Sequence, residues 1–245
     1  MEKFMLTTIA FISIFIGVMQ AVIITGSIIK HPQEMAIMNV VWPITGLYFP
    51  VIGLWMYYVI GIKDQRDTSH QSDAHGHHQS DDHRGSDIDH SEHHHMQHSD
   101  KPQWQSVLVS TTHCSAGCSV GDLLGVPIVV LLGWTIAGST LFSEYVVEFI
   151  LAYLLGIGFQ YYGMGMNKSG KSITQAIKAD TWSLLAFEVG MFGWMALTHY
   201  VFFYHPPEAT TPLFWFMMQM AMMIGFATSY PANWVLVKRG VKHAM

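Results

Sequence analysis

The sequence predicts an all-α, polytopic membrane protein of six transmembrane helices with both termini cytoplasmic. Three observations predict it. Of 245 residues, 51% are apolar and only 12% charged, against about 25% charged in an ordinary soluble domain. The apolar residues come in blocks of more than about 18, long enough to cross a bilayer, where a single segment satisfies its backbone only as a helix. Lys and Arg collect at alternate ends of those blocks. Together these features exclude nucleic-acid binding, a disulfide scaffold and disorder for most of the chain, and they make the lipid bilayer the first expected partner.

The expected spans are residues 4–29, 40–62, 120–137, 145–166, 182–204 and 213–237. The first lacks a basic stretch followed by a small-residue cleavage site and outruns the apolar part of a signal peptide, so it reads as a retained span. Orientation follows from the rule that cytoplasmic connections keep positive charge. With six crossings, all of the twelve Lys and Arg except Lys30 fall on the face that carries the termini and the two long connections. Trp42 and Trp215 on the outer side, with Trp104, Trp182 and Trp234 on the inner side, match the headgroup level where amphipathic rings anchor. Pro43 and Pro50 in the second span, Pro127 in the third and Pro231 in the sixth each remove a backbone donor, so kinks are expected there. No internal repeat is visible, which argues against an inverted-repeat transporter. The organisation is one membrane domain in two parts, 1–62 and 104–245, on either side of a connection at 63–103.

That connection is a different material. It carries His70, His75, His77, His78, His83, His90, His93, His94, His95 and His98, and its net charge of −5 equals the formal charge of the whole chain. With almost nothing apolar to bury, it cannot offset the entropy of ordering and is expected to be disordered on the cytoplasmic side. Imidazoles beside carboxylates raise the local concentration of ligands for Zn, Cu and Ni without a fixed geometry, so the tract reads as a metal-capture segment. A solvated spacer of drifted composition is the plainer reading.

The only two cysteines stand in His113-Cys-Ser-Ala-Gly-Cys118-Ser-Val-Gly-Asp122, expected at the cytoplasmic boundary of the third span. In a reducing compartment they are not expected to form a disulfide. If helix begins this early, Cys114, Cys118 and Asp122 stack on one stripe and Gly117, Gly121 and Gly125 form the adjacent one, at the small-xxx-small spacing that admits another helix. Two thiolates with His113 or Asp122 suit Cu(I) or Zn, although a structural zinc site shows four ligands in paired knuckles. Close-packed small residues explain the same pattern. The glycine stripe also offers a contact to a second copy or another membrane subunit.

This stretch resembles a bacterial integral-membrane family of unknown function, number 4396, marked by His-Cys-x-x-Gly-Cys followed by Gly and an acid: here His113, Cys114, Gly117, Cys118, Gly121 and Asp122. Lys178-Ala-Asp-Thr-Trp-Ser183, Phe187-Glu-Val-Gly-Met-Phe-Gly-Trp-Met195, Phe214-Trp-Phe-Met-Met-Gln219 and Ser229-Tyr-Pro-Ala-Asn-Trp234 extend the likeness. It spans roughly residue 42 to the C-terminus without the His-rich connection. The resemblance implies a multi-pass protein of a bacterial inner membrane and supplies no activity.

Charged groups at membrane depth are costly and usually mark pathways or pairs. Glu148 and Glu188 lie within expected spans that hold no Lys or Arg, so they are expected to be protonated, bonded to groups such as Gln160 or Gln219, or bound to a cation. Glu188, Met191, Met195 and His199 share a helical face, and Met218 and Met222 sit one turn apart in the last span. Thioethers select Cu(I), yet Met is also an ordinary filler of helix interfaces.

Three functions follow as expectations. Transition-metal transport, or an accessory role in it, with copper or zinc, draws on the connection, the thiols, the acids and the Met run. A non-transporting metal-binding, sensing or assembly subunit accounts better for the missing symmetry. A membrane oxidoreductase has weak grounds, because an enzyme of that kind would show Cys-x-x-Cys, paired haem histidines or Glu-x-x-His, and none occurs. No nucleotide, haem or flavin motif is present. The layout of six helices with a cytoplasmic His-rich loop looks like cation-diffusion facilitators, without their intramembrane His and Asp pairs.

Overall fold

The computed structural model describes residues 2–33, 35–62, 102–163 and 170–239. The histidine-rich tract and its expected metal ligands lie outside the described residues. Every regular element among the described residues is helical, with one isolated bridge between Ile136 and Ser139 at a turn. Its elements are α1 (Glu2–Lys30), α2 (Met38–Tyr48), α3 (Ile52–Met56) prolonged by a π-helical turn (Tyr57–Gly61), α4 (Gln103–Leu132), α5 (Thr140–Gly163), α6 (Gly170–Leu197) prolonged by a second π-helical turn (Thr198–Phe202), and α7 (Pro212–Lys238). Five of these, α1, α4, α5, α6 and α7, are long and apolar enough to cross a membrane. Their outward side chains, among them Phe15, Val22, Leu131, Leu154 and Val189, are large and apolar, as contact with a lipid bilayer requires.

The second expected span is not one helix. Pro43 is accommodated inside α2, but at Pro50 the chain leaves the helical path and Val51 takes φ +69°. That conformation strains a β-branched residue and persists only where surroundings enforce it. The side chain of Gln20 on α1 does so. Its Nε2 donates to the carbonyls of Gly46 (3.0 Å) and Phe49 (3.2 Å), while its Oε1 accepts from the Leu54 amide at 3.3 Å. One amide thus satisfies the Gly46 carbonyl and the Leu54 amide, which the break leaves without helical partners, and adds a second donor to the Phe49 carbonyl, which also accepts from the Gly53 amide at 2.9 Å.

The third span also differs from expectation. Hydropathy placed its start at 120, whereas α4 begins at Gln103, directly after Pro102. In the Ser- and Thr-rich turns ahead of 120 the two threonine hydroxyls fold back onto the helix: Thr111 Oγ1 donates to the Val107 carbonyl and Thr112 Oγ1 to that of Leu108, both at 2.8 Å. Such back-bonding removes most of the cost of a buried hydroxyl. The His-Cys motif therefore lies inside a helix and not at its start. Gly133, at φ +62°, ends that helix in the left-handed conformation. Trp42 departs as well, being 1% exposed with its ring edge-on to Tyr57 at 5.8 Å, so it is a core residue and not a headgroup anchor.

Helices α4 and α5 form one antiparallel hairpin and α6 and α7 a second. A Cβ added at Gly117 would lie 2.9 Å from the Gly156 Cα, at Gly121 it would enter the backbone of Ala152, and at Gly125 it would meet Glu148 Cγ at 2.6 Å. Only hydrogen at these positions lets the two backbones approach so closely. The second hairpin is closed in the same way, with Gly225 against the Phe187 carbonyl and Gly190 against Thr228. Helix α1 lies against α2 and α7 at the side of this four-helix unit.

Candidate functional site

With α4 held against α5 by its glycine stripe, the neighbouring stripe of α4 turns toward α6. Cys114 and Cys118 are both free and fully buried. Ser183 Oγ donates to the Asp180 carbonyl (3.1 Å) and to Asp180 Oδ1 (3.3 Å), which leaves its oxygen to take the Cys114 thiol, 3.1 Å away. Ser229 on α7 donates to the Ser183 carbonyl at 3.0 Å, and Asn233 Nδ2 donates to Ser229 Oγ at 3.1 Å. Polar groups of α4, α6 and α7 are thereby tied into one buried lattice. His113 is fully buried with its ring edge-on to Phe159 at 6.2 Å. Cys118 lies within electrostatic reach of Cys114, Glu188 and Asp180.

From Cys118 the acids continue through the unit. Glu188 on α6 and Asp122 on α4 interact with each other, Asp122 also interacts with Glu148 on α5, and Glu148 with Glu144 one turn further along α5. Asp122 is fully buried, Glu188 and Glu148 are each 2% exposed, and no Lys or Arg is buried among the described residues. All four carboxyl oxygens of Asp122 and Glu188 lack a hydrogen-bond partner. Buried carboxyl groups without hydrogen bonds or counter-charge are rare, because stripping water from them is costly unless something replaces it.

A family model described as a domain of unknown function (DUF4396) matches residues 103–242. The chain belongs to that family. The match begins at the first residue of α4 and takes in α7, so the DUF4396 region is the pair of glycine-closed hairpins together with every acid of the buried row. No curated protein and no solved structure matches the chain.

The other expected groups are distributed differently from the sequence reading. Among the described residues no three His, Cys, Asp or Glu side chains converge closely enough to hold a metal ion directly, and this includes His113, Cys114, Cys118 and Asp122. Gln219 does not serve the acids: its Oε1 accepts from Ser13 at 2.6 Å and its Nε2 donates to the Leu47 carbonyl at 2.8 Å. Gln160 is buried, and its Oε1 has no partner. Met191, Met195, Met218 and Met222 are all buried in the common apolar core. Met195 lines one cavity, and Met218 with Met222 line another. His199 falls within the π-helical turn, where the expected helical spacing no longer holds. Sequence reasoning missed Glu144 and Asp180, because the expected spans began just past them at 145 and 182. The available signal was the four-residue spacing of Glu144 and Glu148.

Proposed function

We propose that this DUF4396 protein is a multi-pass protein of a bacterial inner membrane that moves a transition-metal cation, or assists its movement, through the interior of the α4–α7 unit. In this reading the broken segment α2–α3 is one crossing, which gives six with both termini cytoplasmic. The observation that carries the proposal is the row Glu144, Glu148, Asp122, Glu188, which leads into the unit without counter-charge and with the Asp122 and Glu188 oxygens unpartnered. A cation supplies what these groups lack. The mixture of carboxylates with the thiol of Cys118 suits zinc, which accepts oxygen and sulfur ligands alike, better than Cu(I). The buried methionines favour copper less, since core packing accounts for them. The histidine-rich tract would raise the ion concentration at the cytoplasmic end.

The test is uptake of radiolabelled zinc, and in parallel of Cu(I), into vesicles containing the purified full-length chain. Glu188→Gln is expected to abolish uptake, and deletion of residues 67–100 to change only its apparent affinity. Wild-type uptake by the Glu188 variant removes that residue from the route.

A further inference from the structure

The four-helix unit carries a cavity of about 290 Å³ at the end where both hairpins turn. The last turn of α4, the first of α5, the π-helical turn after α6 and the connection leading into α7 enclose it. We infer that this cavity binds a partly hydrated divalent transition-metal cation between Glu144, Glu208 and His199.

Three features of the lining lead to this. The first is charge. Glu144 and Glu208 both face the cavity and no Lys or Arg lines it, so its field favours cations. The second is an unused hydroxyl. Threonines inside these helices, such as Thr45, Thr111 and Thr181, turn their Oγ1 back onto the carbonyl four residues earlier. Thr198, at the start of the π-helical turn, does not. It is 2% exposed, it lines the cavity, and its Oγ1 has no hydrogen-bond partner. A buried hydroxyl left open at the wall of a cavity is free to bond a group held there. The third is donor chemistry. The same π-helical turn sets His199 into the lining, which Met195 also shares.

The ion must keep part of its water. No three acid, imidazole or thiol groups among the described residues converge on one point, whereas a cavity of this size holds an ion with several waters of about 30 Å³ each. Carboxylate with imidazole and a nearby thioether selects a borderline ion such as Zn²⁺ over Mg²⁺ or Ca²⁺. Binding stands on this geometry alone. That the cavity is the outer mouth of the buried row, through the Glu144 and Glu148 pair, rests on the transport reading.

The experiment is carbethoxylation of histidines in the full-length protein by diethyl pyrocarbonate, read at the His199 peptide by mass spectrometry during a Zn²⁺ titration. A readout at one residue is not confused by metal on the histidine-rich tract. Zn²⁺ is expected to protect His199, and Mg²⁺ is not. Glu144→Gln should raise the half-protecting Zn²⁺ concentration about tenfold, the equivalent of one lost charged contact. Glu208→Gln, on an exposed connection where folding is not at risk, should shift it in the same direction. Three results would each overturn the site: a His199 that is unreactive in metal-free protein, labelling unchanged by millimolar Zn²⁺, or equal protection in both variants. Protection that depends on Glu144 in a protein without zinc uptake would keep the site and remove the transport reading.

Discussion

Two regions of the molecule bury polar side chains in opposite ways. In the N-terminal part, α1 to α3, the buried Gln20 and Thr45 are bonded to backbone: Gln20 closes the break at Pro50 and Thr45 donates to the Val41 carbonyl. Groups left open there, such as Trp42 Nε1, are neutral. In the DUF4396 region the open groups include the carboxyls of Asp122 and Glu188. The contrast separates polar residues that hold a fold together from those retained despite their cost to it. Stability and function should therefore respond in opposite senses when the two kinds are neutralised.

Five substitutions test that contrast. The largest loss of stability is expected for Gln20→Ala, which strands the Gly46 carbonyl and the Leu54 amide at the helix break and removes one of the two donors to the Phe49 carbonyl. At about 1–3 kcal/mol for each of the two groups left unsatisfied, the total is about 2–6 kcal/mol and should show as a fall in melting temperature in detergent. Gly121→Leu comes next, costing about 1–3 kcal/mol by overpacking against the Ala152 backbone. Gly26→Leu, with open space around the Cα, is its neutral control. Ser183→Ala removes the contacts to Asp180 and Cys114 and should cost about 1 kcal/mol. Maleimide labelling of Cys114 should become faster in the same variant. Asp122→Asn should leave the melting temperature unchanged or raise it slightly, because a buried acid without partners contributes no stability to lose. A large drop for Asp122→Asn would place that residue with Gln20 and erase the distinction.

Much of the fold was legible in the sequence because lipid imposes a simple requirement. Helix content, the extents of α1 and α7, and Gly117, Gly121 and Gly125 as a packing stripe followed from apolar length and small-residue spacing. The site was less legible for a physical reason. Hydropathy penalises Ser, Thr, Asp and Glu as though each faced hydrocarbon, so the reading cut α4 short at 120 and left Glu144 and Asp180 outside the spans. The hydroxyls of Thr111 and Thr112 bond within the helix, and the acids sit between helices. Neither fact is visible in a hydropathy window. The break at Pro50 was legible as a kink, but its repair by Gln20, thirty residues away, depends on tertiary packing.

The central claim is that Asp122 and Glu188 are kept for a cation and not for the fold. The most direct measurement is zinc uptake by vesicles containing the Asp122→Asn/Glu188→Gln double variant, prepared from protein whose melting temperature matches or exceeds that of the wild type. The account predicts uptake no faster than in protein-free vesicles. Uptake at the wild-type rate from that folded double variant would contradict it.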